Sequence, residues 1–319
     1  MYNGKKRVGN QSLSRRRLHG LYDQSGCGLN HIFSYILRKR ACLMVNQAME
    51  KFPINLQTIQ CLSGNSVKII AAACMLIDHL GKTVFFTVIK EILIPMTKVG
   101  KLPQSLSQLI FNINQNVLYS IGSIAFPLFC FMLVEGYQHT RNKAMFLKRI
   151  GLFSLVSELP FDLAFFSSFA MVENTFPFYW PYQNIFFTYF LGLCVLMLIE
   201  KISMMYQKAV ALFMQVTIVF VACLLAEKVI HCDYGGYGVF LIVLLYTLRR
   251  CRLYQTLGML LIPLFKYTPH PISYLCSILI IVLYNGKRGE MNLKIFFYVF
   301  YPAHILCLHI LNTMILLIR

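Results

Sequence analysis

KIIAAACMLIDHLGKTVFF, residues Lys68 to Phe86, is the stretch whose reading decides the fold. It is predominantly apolar over close to the ~20 residues that a helix needs to cross a ~30 Å hydrocarbon core. Near its middle an acid and a histidine, Asp78 and His79, stand side by side. A charged side chain at the centre of a bilayer costs at least ~2.5 kcal/mol, so such residues face a protein interior, where they hold helices together or carry chemistry.

The rest of the chain repeats the same apolar pattern. Of 319 residues, 57% are hydrophobic, 14% aromatic and only 13% charged, which is too apolar for a water-soluble domain. The expected fold class is all-α, a polytopic membrane helix bundle. The net charge of +18 would suggest nucleic acid in a soluble protein. Here it reads as the excess of basic loop residues that orients membrane proteins, and nucleic acid is not an expected partner. The 11 cysteines form no CxxC pair and mostly sit inside apolar runs, so they read as small buried hydrophobes and not as a disulfide frame or a metal site.

Residues 1–66 carry ten Lys and Arg against Asp23 and Glu50 and lack sustained apolar periodicity. They read as a loosely ordered basic arm against the cytoplasmic leaflet, with a short amphipathic piece at Ile32 to Leu43, or as an extension without function. Residues 67–319 form the membrane domain. The first apolar run is long enough to span and is expected to serve as an uncleaved anchor. About nine segments (range 8–10) are expected at 67–89, 117–137, 147–169, 184–204, 210–226, 237–248, 253–267, 271–284 and 295–318. With the amino terminus inside, the cytoplasmic loops hold Arg141, Lys143, Lys148 and Arg149; Lys201 and Lys208; Arg249, Arg250 and Arg252; and Lys287, Arg288 and Lys294. Residues 150–200 contain no Lys or Arg, as a largely membrane and outer-facing stretch should. The exception is 90–115, read as a long outer loop despite Lys90, Lys98 and Lys101.

At 1.5 Å per residue, Asp78 and His79 lie about 15 Å in from Lys68, and His304 lies the same ten-residue step in from Lys294. Two histidines from different spans are thus expected at one depth, where imidazole can accept and return a proton near neutral pH; the alternative is a polar contact that only fixes helix packing. Asp78 points about 100° away from His79 on the helix and pairs either with Lys82 or with a group on another span such as His304. Ser154, Glu158 and Asp162 form an i, i+4, i+8 stripe interrupted by Pro160, either a polar cavity wall or acids meeting backbone amides freed by the proline. Glu135, His139 and Lys143 form a second stripe before a basic loop that suits the phosphates of a nucleotide-like donor or merely obeys the positive-inside rule. On the opposite side CDYGGYG, Cys232 to Gly238, reads as a turn-rich loop whose glycines permit close backbone approach to a ligand or a tight re-entry, or as only a turn.

These motifs together resemble the TraX family of membrane proteins associated with acetylation of conjugative pilin. The resemblance rests on Lys68 to Lys82, IGSIAFPLFCFMLVEGYQHTRNKAMFLKR (Ile121 to Arg149), SELPFDL (Ser157 to Leu163), QNIFFTYFLG (Gln183 to Gly192), DYGGYG (Asp233 to Gly238) and FYVFYPAHILCLH (Phe297 to His309). It implies a multi-pass protein of the bacterial inner membrane with a cytoplasmic amino terminus. It also implies acyl transfer from acetyl-CoA to an amine or hydroxyl acceptor such as the end of a pilin-like or exported peptide. On that reading Arg141, Arg149 and His139 hold the donor, His79 is the general base supported by Asp78 and His304, and Asp162, Asn184 and Asp233 shape the acceptor side. The competing readings are a transporter with a proton relay through Asp78, His79, Glu158 and Asp162, and a non-catalytic pilus assembly factor.

Overall fold

A computed structural model describes residues 59–265 and 271–318. The basic arm up to residue 58, its amphipathic piece at Ile32 to Leu43, and residues 266–267 of the seventh expected span lie outside the described residues.

The first helix, α1 (Gly64–Lys98), starts where Ser63 caps it. The Ser63 hydroxyl accepts the Ser66 N–H at 3.1 Å, one of the orphan donors of a helix start. Two π turns, Gly81–Phe85 and Ile89–Leu93, widen α1, and the chain reverses at Gly100, whose φ of +74° suits glycine. α2 (Gln104–His139) returns alongside it, with a π turn at Asn114–Leu118 and an irregular step at Ser123 and Ile124. The expected outer loop at 90–115 is therefore mostly helix, and only residues 99–103 turn. Apolar Leu106, Leu109, Ile110, Ile113 and Val117 recur at helical spacing among amides, and the far halves of α1 and α2 pack on each other. Lys90, Lys98 and Lys101 sit exposed on this hairpin, which accounts for cations where the topology predicted none.

α3 (Lys143–Phe165) is capped by Asn142, whose side chain accepts the Met145 N–H at 2.8 Å, and it runs on through Pro160, where an interruption was expected. The short α4 (Ser167–Val172) follows, then α5 (Ile185–Met205), α6 (Lys208–Lys228), α7 (Gly235–Thr247), α8 (Arg252–Phe265), α9 (Pro271–Leu283) and α10 (Lys294–Ile318). Five of these, α1, α2, α5, α6 and α10, are long and apolar enough to cross a bilayer. The shorter α7 and α9 are apolar throughout. The fold is a helical membrane bundle.

α7 is the central element, packed against α2, α5 and α6, with Val239, Leu241, Ile242 and Leu245 fully enclosed. A helix apolar all round belongs in such a position. α6 lies at the edge: it buries Ala211, Ala222 and Ala226 while Leu212, Phe213, Val216 and Phe220 face outward. Small residues at the contact let backbones approach, the usual solution where lipid offers no hydrophobic drive for association. At one end Glu200 of α5 gathers the Lys143 ammonium at 2.6 Å and the Tyr137 and Tyr246 hydroxyls, tying four helices. The α9–α10 loop is stitched to the start of α1: the Gly64 N–H donates to the Lys287 carbonyl at 2.7 Å, the Asn65 N–H to Arg288 at 2.9 Å, and the Asn65 side chain to Met291 at 2.7 Å.

Candidate functional site

α1 and α10 touch through their histidines. His79 Nδ1 and His304 Nε2 are 2.8 Å apart with the rings parallel to within 2°. The other nitrogen of His304, Nδ1, lies 2.6 Å from the Phe300 carbonyl oxygen. A carbonyl only accepts, so His304 Nδ1 carries the hydrogen and donates it, which leaves Nε2 of that neutral ring an acceptor. His79 must then donate through Nδ1–H, and its lone pair resides on Nε2. Phe300 stacks on His304 at 4.6 Å, and Phe165 and Tyr301 meet His79 edge-on at 5.3 and 6.1 Å. Aromatic walls and one fixed hydrogen bond therefore hold a neutral imidazole with its basic nitrogen directed away from its partner.

Asp78 faces elsewhere. Lys82 reaches its Oδ2 at 2.6 Å one turn on, the local pairing, and not His304. The carboxylate lies so close to α2 that a Cβ on Gly122 would sit 2.3 Å from the Asp78 Cβ; only glycine permits that crossing. One turn further, the π turns of α1 and α2 meet, and the Asn114 side chain donates to the Gly81 carbonyl at 3.2 Å. Asp233, on the α6–α7 turn, completes this side. Its Oδ1 accepts from the Tyr182 hydroxyl at 3.2 Å. Burial pushes its carboxyl up to about 6, with Lys82 pulling it down and Asp78 pushing it up, so all three charges share one electrostatic neighbourhood. The turn is built by glycine: Tyr234 and Gly235 have φ of 63° and 48°, and the Gly236 N–H donates to Glu227 at 3.0 Å.

Glu158, Asp162 and Asn184 are buried and meet backbone and amide groups. Asn184 caps α5 by accepting the Phe186 N–H at 3.0 Å, while its amide donates to the Ser154 carbonyl at 2.8 Å and to Glu158. Asp162 accepts the Tyr179 N–H at 2.9 Å. The two acids thus anchor the loop 173–184 at its middle and at its far end.

A cavity of about 530 Å³ opens on the other side of the histidines. Its mouth carries Lys68, His139, Arg149, Arg288 and Lys294 beside Glu135; its deep end is Ile185, Phe186, Tyr189, Phe300 and Tyr301, the last two against the histidine pair. His139 and Arg149 line it, whereas Arg141 is exposed in the α2–α3 turn and does not. Lys68, Arg288, Lys294 and Tyr301 escaped the sequence reading as site residues. The signal for Tyr301 was present, since Phe297, Tyr301 and His304 fall at i, i+4 and i+7 on one face of α10.

The family profile described as TraX protein matches residues 63–312, nearly the whole of the described bundle. The chain belongs to the TraX family. Both histidines, the Asp78–Lys82 pair, the DYGGYG turn and every residue lining the cavity fall inside the TraX match. A relative of this TraX chain is a probable fimbrial assembly protein, FimC of serogroup H1, from Dichelobacter nodosus, 27% identical over 203 residues that cover 58% of this chain and 78% of the relative. No solved structure matches.

Proposed function

We propose that this TraX protein is an inner-membrane acyltransferase, with its amino terminus cytoplasmic, that moves an acetyl group from cytoplasmic acetyl-CoA to an amine on a pilin-like or exported peptide. The observation that carries this reading is the fixed His79–His304 pair packed against Phe300 and Tyr301, which close the deep end of a cavity with a cationic mouth. The resemblance to proteins of pilin acetylation and the relative named for fimbrial assembly support the class of acceptor. Arg149, Arg288, Lys68 and Lys294 suit the phosphates of the donor, and the aromatic passage beyond them suits its thioester arm. The acceptor nitrogen attacks the thioester carbonyl carbon, forming the C–N bond, while His79 Nε2 takes the nitrogen's proton. The C–S bond then breaks, and the thiolate leaves with the proton that His79 returns. His304 supports the positive charge that His79 gains. Asp233 and Asp78 give the opposite side a polarity suited to a cationic amine.

The test is transfer of labelled acetyl from acetyl-CoA to peptide amines by the full-length protein in proteoliposomes, with CoA binding measured separately. Wild type is expected to transfer, and His79→Ala to lose transfer while keeping CoA affinity and thermal stability. Arg288→Ala and Arg149→Ala should weaken CoA binding by roughly tenfold or more, the scale of one charged hydrogen bond, whereas Arg141→Ala should stay within about twofold, as an exposed charge does. A wild-type protein that neither binds CoA nor acylates any amine or hydroxyl overturns the proposal. Proton or solute flux through the same vesicles would favour a transport relay instead.

A further inference from the structure

Tyr301 is 4% exposed, lines the deep end of the cavity and stands edge-on to both His79 and His304, 6.1 and 5.8 Å between ring centroids. Phe186 holds the ring from another side at 5.1 Å, again edge-on. One buried aromatic contact and two imidazoles leave the phenol little freedom. Through Phe186 the ring sits against the start of α5, whose first residue, Ile185, has no intrahelical acceptor for its N–H. A phenol hydroxyl carries one proton to give. Ile185 and Phe186 line the cavity as well, so the phenol borders both the cavity and the imidazole pair.

We propose that Tyr301 is a further catalytic residue, the hydrogen-bond donor to the carbonyl oxygen of the acyl donor; this rests on the acyl-transfer reading above. When the acceptor nitrogen bonds to the carbonyl carbon, the π electrons of C=O move to oxygen. The Tyr301 O–H, held in place by Phe186 and the two imidazoles, stabilises that oxyanion. As the oxyanion collapses, the C–S bond breaks, and the thiolate takes the proton held on His79 Nε2, so Tyr301 ends with the proton it began with. A positioned donor that meets charge only in the transition state raises kcat without tightening substrate binding.

The experiment compares wild type with Tyr301→Phe, which keeps the ring and its packing, and with 3-fluoro- and 3,5-difluorotyrosine at position 301, in full-length protein in proteoliposomes. Removing one oxyanion donor lowers kcat by about 10²-fold or more; the KM for acetyl-CoA and the affinity for CoA should stay within about twofold, since uniform binding is untouched. The fluorinated tyrosines should show kcat changing in step with phenol acidity, which a purely structural ring would not. A Tyr301→Phe protein with kcat within about threefold of an active wild type overturns this assignment and leaves the His79 reading intact. A loss of kcat accompanied by an equal loss of CoA affinity, or by unfolding, overturns it too. An inactive wild type overturns the acyl-transfer reading and this assignment with it.

Discussion

Replacing His304 with alanine tests the geometry on which the chemistry depends. In the resting protein His79 donates Nδ1–H to His304 Nε2 at 2.8 Å, and that bond sets the tautomer that leaves Nε2 basic. As His79 takes a proton, the same bond becomes one donated by a cation, worth about 1.5–3 kcal/mol. By transition-state arithmetic its loss lowers kcat by roughly 10- to 150-fold. Release of the tautomer adds to this, because an imidazole with no fixed partner places its hydrogen on either nitrogen. Neither histidine lines the donor cavity, so the KM for acetyl-CoA should hardly move when His304 is replaced. His304→Gln, which carries an acceptor close to the place of Nε2, should recover part of the loss, and imidazole added to His304→Ala should recover some as well. The assay is steady-state acetyl transfer in proteoliposomes, with thermal unfolding in detergent to establish that each variant is folded. Equal activity of the alanine and glutamine variants, or His304→Ala within about threefold of wild type, would refute the argument that His304 orients and supports His79.

Two stability predictions follow from the other side of α1. Gly122→Ala puts a Cβ 2.3 Å from that of Asp78 and should destabilise the protein by ~1–3 kcal/mol or more through overpacking, seen as a lowered midpoint of thermal unfolding; Gly136→Ala, whose Cβ would meet Phe146 at an ordinary 3.6 Å, should be neutral. Asp233 has its folded-state pKa raised from 3.8 to about 6 by burial, so the folded protein holds that proton more tightly than the unfolded chain. Its contribution is therefore most favourable below the unfolded value and declines as pH rises through the window from 3.8 to about 6; Asp233→Asn should flatten that part of the pH dependence of thermal unfolding, and an unchanged slope would count against a buried, proton-binding Asp233.

How far the chain could be read without coordinates depended on the range of each signal. Helical spacing is local, so the apolar runs gave the bundle, and equal ten-residue steps from Lys68 and Lys294 brought His79 and His304 to one depth. The α1–α2 hairpin was misjudged because Gln104, Gln108, Asn112, Asn114 and Asn116 mask a helical stripe of leucines and isoleucines, and because cations at 90–101 look like a loop. Glu158 and Asn184 are 26 residues apart in sequence, and no periodicity announces that contact, although an asparagine before an apolar run is itself a helix-start signal. The basic residues were the least legible. Arg141 and Arg149 obey the same topological rule, and only the fold places Arg149 two turns into α3 at the cavity while Arg141 stays in the exposed turn.

The adjacency of Asp78 and His79 looks in the sequence like a catalytic acid beside its base, and the structure argues for a division of labour. Side chains one residue apart on a helix diverge by about 100°, so the two serve different neighbours. Asp78 is matched by Lys82 at 2.6 Å, Gly122 allows α2 to close over it, and the meeting π turns leave the Gly81 carbonyl accepting from both the Phe86 N–H and the Asn114 amide. That face of α1 resolves the cost of charge inside a membrane protein by pairing and close packing. His79, on the other face, is neutral, is bonded through one nitrogen and lies against the cavity wall formed by Tyr301. A carboxylate bonded directly to His79 would have held a proton on the imidazole by its charge; a neutral histidine in that position orients the ring without doing so and leaves it free to accept the proton of an attacking amine.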